Sequence, residues 1–177
     1  MVTFWNNLPI ENKIKYIRLF AIASLVITFD QVTKFVILNT MPLYHSITVI
    51  PGCFNIVHIH NPGGAFGVFA TQSDTVRKIL FLVISSFAAC FVLYFYNRTP
   101  RNYPLLASGF ALIFGGAIGN IIDRIYLGKV VDFLDFYIGP YHWPTFNVAD
   151  SAITVGVGLL LFQYIFRTQT QAVEETS

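Results

Sequence analysis

Residues 102–122 read NYPLLASGFALIFGGAIGNII, a stretch without a single charged side chain. A helix needs about 20 such residues to cross the hydrocarbon core of a bilayer, so this stretch predicts a transmembrane helix. Three further runs, Leu19–Leu38, Ile79–Tyr96 and Ser151–Phe166, are uncharged or nearly uncharged. The first predicts a span only if Asp30 and Lys34 are tolerated near its end, and the fourth is long enough once Val148–Asp150 is counted as its first turn. Only 11% of the 177 residues are charged, whereas soluble domains carry about 25%. The chain therefore belongs to the membrane class of proteins.

We predict one all-α membrane domain with four transmembrane helices, at about residues 17–38, 79–97, 103–122 and 148–167. Because Asp30 and Lys34 follow the apolar core of the first run and no small-x-small site comes after it, we expect a retained helix rather than a cleaved signal peptide. The polar tail, residues 168–177, is predicted to be disordered.

The first loop, residues 39–76, is too long to be a simple connection between helices. Its β-branched and aromatic stretches, Ser46–Ile50 and Phe54–His60, are bounded by turn residues that contain proline and glycine. This pattern predicts short strands, which would form a small β-rich extracytoplasmic element on the membrane surface.

The distribution of basic residues gives a weak signal for orientation. With the N-terminus in the cytoplasm, six basic residues lie inside and five lie outside. We therefore expect both termini to be cytoplasmic. In either orientation one side of the membrane holds the same set of segments. These are the end of the first helix, the first loop, the end of the third helix, the third loop and the start of the fourth helix. That face carries the polar residues Asp30, Asn61, Asn120, Asp123, Asp132 and Asp150. Because ionisable groups at membrane depth are costly, we expect the chemistry to be confined to this face.

Two motifs lie in helices and have a structural as well as a functional interpretation. Asp30 and Lys34 are four residues apart, so they can form a neutralised pair that helps the helix end reach water. Asn120 lies one turn from Asp123 and Arg124, which predicts either a surface ion pair or donors to a substrate backbone or lipid group. Upstream, the small residues Ala111, Gly115 and Gly119 predict helix packing.

The carboxylates near the fourth helix are also ambiguous. Asn147 is a natural N-cap, and Asp150 three residues later can complete a capping box. Capping by Asn147 still allows the Asp150 side chain to point inward. Asp132 and Asp135 lie in the third loop, where a carboxylate is usually solvated, and we expect that of Asp135. Spacing along the sequence alone does not decide which of Asp132 and Asp135 has a functional role.

A metal or disulfide site has little support in the sequence. Cys53, His58 and His60 could ligate a metal, but their spacing matches no common zinc pattern and no fourth ligand is near. Cys53 and Cys90 differ in predicted depth, so two free thiols are expected. The net charge of +2 gives no reason to expect a nucleic-acid partner.

Five segments, taken together and in order, resemble the lipoprotein signal peptidase (signal peptidase II) family of bacterial inner membranes. They are Asp30-Gln-Val-Thr-Lys34, Asn61-Pro-Gly-Gly-Ala-Phe-Gly67, Gly119-Asn-Ile-Ile-Asp-Arg124, Gly128-Lys-Val-Val-Asp132-Phe133 and Phe146-Asn-Val-Ala-Asp150-Ser-Ala-Ile153. One departure is Pro62-Gly63-Gly64, where the family more often has a small polar residue, glycine and alanine. This departure leaves Asn61 in place.

The resemblance implies a four-helix aspartyl endopeptidase that removes signal peptides from prolipoproteins, cutting before a cysteine that carries a diacylglyceryl group. It implies Asp132 and Asp150 as the catalytic pair. The supporting or substrate-binding residues it implies are Asp30, Lys34, Asn61, Gly63, Asn120, Asp123, Arg124, Asn147 and Ala149. We expect no cofactor and no metal, a lipid-modified prolipoprotein as substrate, membrane phospholipid around a monomeric chain, and an active site at the extracytoplasmic face.

Two other classes of function remain open at this stage. A small transporter or proton-relay protein would also bury carboxylates, although it should place some near the bilayer midplane or on both faces. A non-catalytic membrane scaffold would use the aspartates only for capping and pairing.

Overall fold

The computed structural model describes residues 9–63 and 73–175. Its helices are α1 (Ile10–Thr40), α2 (Asp74–Arg98), α3 (Pro104–Tyr126) and α4 (Val148–Glu175). Its strands are β1 (Ser46–Ile50), β2 (Phe54–Asn61), β3 (Val130–Ile138) and β4 (Tyr141–His142). Each of the four helices contains a segment long and apolar enough to cross a membrane, which confirms the predicted set of spans.

The helices extend beyond the predicted spans, by several residues at the start of α1 and α2 and at the end of α3 and α4. Two of these differences change an earlier expectation. Asp74, which we expected in the first loop, lies in the first turn of α2, where Ser73 caps the helix by accepting from the Val76 N–H at 3.4 Å. Helix α4 continues to Glu175, so the predicted disordered tail is helical over residues 168–175. Residues 168–175 contain no glycine or proline, and alanine, glutamine and glutamate are good helix formers. Residues 176–177 lie outside the described part of the chain.

The four strands form one antiparallel sheet in the order β1-β2-β3-β4. Strands β1 and β2 confirm the β-rich element predicted in the first loop. The sequence missed β3 and β4, so the sheet also takes in the third loop. Asp132 and Asp135 therefore lie on a strand rather than in an irregular loop. Val130–Ile138 is rich in β-branched and aromatic residues, which favour strands. We did not predict this strand because Asp132 and Asp135 interrupt its apolar pattern.

Helix α3 is the centre of the bundle, because it packs against each of the other three helices. Its small residues permit close approach, as the sequence predicted. A Cβ atom placed on Gly115 would lie 3.0 Å from the Ala23 Cα of α1. One placed on Gly116 would lie 2.4 Å from the Ala149 carbonyl oxygen of α4. The backbones of α1 and α4 therefore contact α3 directly, next to the polar residues at its end.

We predict that Gly116→Ala destabilises the protein by about 1–3 kcal/mol, the usual cost of overpacking a close contact. The added methyl group meets a backbone carbonyl, which cannot rotate away as a flexible side chain could. The control is Gly158→Ala in α4, where a Cβ atom would have no neighbour within 4 Å. Thermal unfolding in detergent should show a lower midpoint for Gly116→Ala alone. Equal midpoints for the two variants would contradict the close packing of α3 on α4.

Candidate active site

The buried side chain of Lys34 connects polar residues of α1 and α3. The Lys34 Nζ atom lies 2.9 Å from Asp30 Oδ2, 2.9 Å from Asp123 Oδ2 and 2.9 Å from Asn120 Oδ1. These three contacts use all three N–H donors of the ammonium group. Lys34 is only 1% exposed. The pairing of Lys34 with Asp30 is therefore confirmed, but the expectation that it helps the helix end reach water is wrong.

The two carboxylates bound by Lys34 also hold backbone amides of the elements that carry Asp132 and Asp150. Asp30 Oδ1 accepts from the Ala149 N–H at 2.9 Å, one residue before Asp150. Asp123 Oδ2 accepts from the Val131 N–H at 3.0 Å, one residue before Asp132. A charged acceptor strengthens each of these hydrogen bonds. The lysine cluster thus fixes the start of α4 and the start of β3 relative to α1 and α3.

Gln31 belongs to this cluster and was not among the predicted site residues. Its Nε2 atom donates to Asp123 Oδ1 at 3.0 Å, to the Gly119 carbonyl oxygen at 3.2 Å and to Asp30 Oδ2 at 3.2 Å. A Cβ atom on Gly119 would lie 2.6 Å from Asp30 Oδ2, so glycine makes room for the carboxylate. The signal that could have identified Gln31 is an uncharged polar residue between Asp30 and Lys34 in an otherwise apolar run.

Asn147 lies between the two candidate catalytic carboxylates and donates to both. Its fully buried side chain donates from Nδ2 to Asp132 Oδ1 at 2.8 Å. Its backbone N–H donates to Asp150 Oδ2 at 3.3 Å, and Asn147 Oδ1 accepts from the Asp150 N–H at 3.0 Å. This reciprocal pair is the predicted capping box at the start of α4. The cap and the inward position of Asp150 are therefore compatible, as the sequence allowed.

Two further amides complete the hydrogen bonding of the carboxylates. Asn61 Nδ2 donates to Asp132 Oδ2 at 3.0 Å, and Asn120 Nδ2 donates to Asp150 Oδ1 at 2.7 Å. The Asn61 side chain is held in place because its Oδ1 atom accepts from the Gly63 N–H at 2.9 Å. Gly63 has a φ of +95°, which favours glycine. Each of the four carboxyl oxygens thus accepts a hydrogen bond, and each keeps a lone pair for another partner.

A Cβ atom at Gly63 would also lie 2.3 Å from the Phe81 ring, so the turn after β2 lies against α2. The rest of the predicted turn motif, residues 64–67, lies outside the described part of the chain.

The pKa of Asp132 is raised to about 7. Burial is the largest cause, and the negative charge of Asp150 adds to it. Hydrogen bonds from Asn61 and Asn147 and the charge of Lys34 act in the opposite direction but do not cancel the effect. A carboxyl group with this pKa holds a proton over much of the neutral range, as expected for one of two carboxylates brought together away from bulk water.

Arg124 does not form the expected surface ion pair. Asp123 is bound to Lys34, and Arg124 Nη1 donates instead to the Asn120 carbonyl oxygen at 3.1 Å. The guanidinium group lies close enough to Asp150, Asp123 and Asp132 for their charges to act on it. Arg124 therefore supplies positive charge at the edge of the carboxylate cluster.

Asp135, the alternative to Asp132 in the sequence, belongs to a separate cluster. Asn55 Nδ2 donates to Asp135 Oδ2 at 2.9 Å, and His142 Nδ1 lies 2.8 Å from Asp135 Oδ1. Burial acts to raise the pKa of Asp135, but the hydrogen bonds from His142 and Asn55 outweigh it and lower the pKa. Asp135 is buried, so the expectation that it is solvated is wrong. The pairing of β2 with β3 places Asn55 opposite Asp135, which spacing along the chain did not reveal.

The candidate metal ligands do not converge. His58 and His60 contact each other, with 3.2 Å between their Nε2 atoms, whereas Cys53 precedes β2 and is exposed. Across residues 9–63 and 73–175, no group of three or more His, Cys, Asp or Glu side chains could hold a metal ion. Cys53 and Cys90 are both free thiols, as expected.

Comparison with known proteins agrees with the resemblance seen in the sequence. The family model described as Signal peptidase (SPase) II matches residues 22–166. The lipoprotein signal peptidase of Desulforapulum autotrophicum is 52% identical over 150 residues, which are 85% of this chain and 93% of that protein. The lipoprotein signal peptidase of Syntrophotalea carbinolica is 45% identical over 143 residues, which are 81% of this chain and 88% of that protein.

The fold also matches a solved structure, a bacterial membrane enzyme determined by the in meso method at 2.3 Å resolution. The TM-score is 0.76 at 36% sequence identity, and the match covers 86% of this chain and 90% of that chain. The matches in sequence and in fold each cover more than four fifths of this chain. The chain therefore belongs to the signal peptidase II family, the aspartic peptidases that cleave signal peptides from prolipoproteins.

Proposed function

We propose that Asp132 and Asp150 are the catalytic pair of this peptidase and activate one water molecule between them. The observation that carries the proposal is the position of Asn147, which donates a hydrogen bond to each carboxyl group. The raised pKa of Asp132 supports a proton held on the pair at neutral pH.

The reaction follows from a pair that carries one proton and one negative charge. The ionised carboxylate takes a proton from the water, and the resulting nucleophile attacks the carbonyl carbon of the scissile peptide bond. The protonated carboxyl group donates a hydrogen bond to the oxygen that becomes negative in the tetrahedral intermediate. Collapse of the intermediate breaks the carbon–nitrogen bond, and the amine leaves with a proton from the pair. The proton is assigned to the pair rather than to either residue.

The remaining predicted residues would position this pair. Lys34, Asp30 and Asp123 hold the elements on which the aspartates lie, and Ala149 supplies one of the anchored backbone amides. Asn61, Asn120 and Asn147 orient the carboxyl groups, while Gly63 fixes the turn that holds Asn61. Arg124 remains a candidate donor to the substrate backbone or to a lipid group.

The substrate in this proposal is a prolipoprotein that carries a diacylglyceryl group, and the cut falls before the modified cysteine. The names of the relatives support the substrate class. The outward faces of the helices carry large exposed apolar residues, including Phe29, Phe35 and Phe87. These faces allow the acyl chains of the substrate to stay in lipid while the peptide bond reaches the carboxylates.

The orientation and the oligomeric state are also proposals. The excess of basic residues at the opposite end favours cytoplasmic termini, which would put the site at the extracytoplasmic face. We also propose that the chain acts as a monomer.

Replacing either member of the pair should stop cleavage without unfolding the protein. We predict that Asp132→Asn and Asp150→Asn each lower turnover by about a hundredfold to ten-thousandfold, the usual contribution of a general acid or base. The measurement is the mass shift of a lipid-modified prolipoprotein incubated with the detergent-solubilised variant. Asp135→Asn is the matched control, because it lies on the same strand but in a separate cluster, and it should retain turnover. Wild-type turnover by Asp132→Asn or Asp150→Asn would remove that residue from the catalytic pair.

The raised pKa of Asp132 predicts an alkaline limit to activity. Because its folded-state pKa lies above the ordinary value, the proton is present below about pH 7 and is lost as the pH rises through that value. The ratio kcat/KM should therefore fall by about tenfold per pH unit well above pH 7. Steady-state cleavage across the pH range tests this, with Asp135→Asn expected to give the same profile. A flat profile between about pH 7 and pH 9 would show that no proton on the pair is needed.

The proposed role of Lys34 predicts a loss of stability when it is removed. In Lys34→Met the buried carboxylates of Asp30 and Asp123 lose their counter-charge, which should cost about 3–5 kcal/mol. Adding Asp123→Asn removes one of the two unneutralised charges and should recover part of the loss. Thermal unfolding of the single and double variants in detergent measures both effects. Equal unfolding midpoints for wild type and Lys34→Met would contradict this role.

A further inference from the structure

A large cavity lies beside the candidate active site and takes no part in the proposed chemistry. Its volume is about 610 Å³. It lies between the start of α2 and the end of α3, and its wall includes His60 and Pro62, the two neighbours of Asn61. A volume of this size falls within the range of small-molecule sites.

The wall of the cavity is strongly cationic. It contains Arg77, Lys78 and Lys129 but, among the described residues, only one carboxylate, Asp74, which pairs with Arg77. Lys78 Nζ donates to the Ile125 carbonyl oxygen at 3.1 Å, at the end of α3. The ammonium group of half-buried Lys129 has no hydrogen-bond or ion-pair partner within residues 9–63 and 73–175. The cavity thus carries an excess of positive charge, and one cation is available to an anion.

Two nitrogen atoms of the cavity residues have unused hydrogen-bonding capacity. Arg77 Nε and His60 Nδ1 are both buried, and neither has a hydrogen-bond partner among the described residues. Burial lowers the pKa of His60, and the positive charge of Lys129 lowers it further. His60 is therefore neutral at pH 7 and adds no charge to the cavity. Because His58 Nδ1 donates to the Met41 carbonyl oxygen at 2.8 Å, His58 accepts at Nε2 from His60 Nε2, and His60 Nδ1 is an acceptor. Arg77 Nε is the free donor of the two nitrogen atoms.

The position of the cavity places it at the level of lipid headgroups. Helix α2 begins and helix α3 ends beside it, and both helices contain membrane-spanning segments. Tyr44 and Tyr126 also line the cavity and are 77% and 81% exposed. Exposed tyrosines are typical of the boundary between hydrocarbon and water. An anion that enters from the side of the bundle at this depth is most simply a lipid headgroup.

We propose that this cavity binds the phosphate group of an anionic phospholipid, with Lys129 and Arg77 as its charged contacts. Both groups pair well with phosphate oxygens, and their side chains lie where the headgroup region of the bilayer surrounds the protein. An acidic peptide segment would match the charge equally well, but the depth of the site and its exposed tyrosines favour a lipid. The site stands apart from the carboxylate pair and does not depend on peptide cleavage.

Native mass spectrometry of the delipidated full chain tests the proposal, with phosphatidylglycerol as the probe. Zwitterionic phosphatidylcholine, inorganic phosphate and a short acidic peptide are the comparison ligands. We expect Lys129→Gln to weaken phosphatidylglycerol binding by about tenfold, since a charged hydrogen bond is lost. Lys129→Arg keeps the charge and should retain binding. Arg98→Gln is the matched control, because it removes one charge from the exposed opposite end of α2.

Phosphatidylglycerol binding that is equal in wild type and Lys129→Gln would overturn the proposal, as would equal binding of phosphatidylcholine. Inorganic phosphate that binds as tightly as phosphatidylglycerol would assign the site to free phosphate rather than to a lipid. Tighter binding of the acidic peptide would assign it to a peptide. A wild-type chain that binds phosphatidylglycerol as predicted but cleaves no prolipoprotein would contradict the proposed function and leave the lipid site standing.

Discussion

The site depends on the burial of one ammonium group, that of Lys34, between two carboxylates. A buried charge without a partner is costly, so Lys34 and the two carboxylates of Asp30 and Asp123 stabilise one another. Each carboxylate also binds a backbone amide, next to Asp150 in one case and next to Asp132 in the other. The ion cluster therefore connects the two elements that carry the proposed catalytic pair, although neither Asp132 nor Asp150 contacts Lys34 directly within hydrogen-bond distance.

The division between supporting and reacting carboxylates follows from what each is bonded to. Asp30 and Asp123 are each paired with Lys34 and each accept a hydrogen bond from a backbone amide. Asp132 and Asp150 are bonded to neutral amides, which orient a carboxyl group without fixing its charge. Burial among neutral donors raises the pKa of Asp132. Membership of the signal peptidase II family decides against the transporter and scaffold alternatives, and this arrangement gives the family chemistry a physical basis.

Much of this architecture could be predicted from the sequence, because each membrane-spanning helix corresponds to a long apolar run. The polar motifs lie near the ends of these runs. The Asp30–Lys34 pair and the Asn147 cap are local, and helical spacing alone predicted them. Strand β3 was missed because its two acidic residues interrupt the apolar pattern, and because it acquires its hydrogen bonds from β2, whose paired residues lie 69 to 82 positions earlier in the chain. The same long-range pairing separates buried Asp135, opposite Asn55, from Asp132. Gln31 was missed because its three acceptors lie on two different helices.

The measurement that tests the central claim most directly is the separation of the Asp132 and Asp150 carboxyl oxygens in a crystal structure of the lipid-embedded protein, at a pH below about 7 and with ordered water resolved. We predict that one water molecule lies within hydrogen-bond distance of both carboxyl groups, because an aspartic pair acts on a shared water. Carboxyl groups that point apart, with no water able to contact both, would contradict the proposed mechanism.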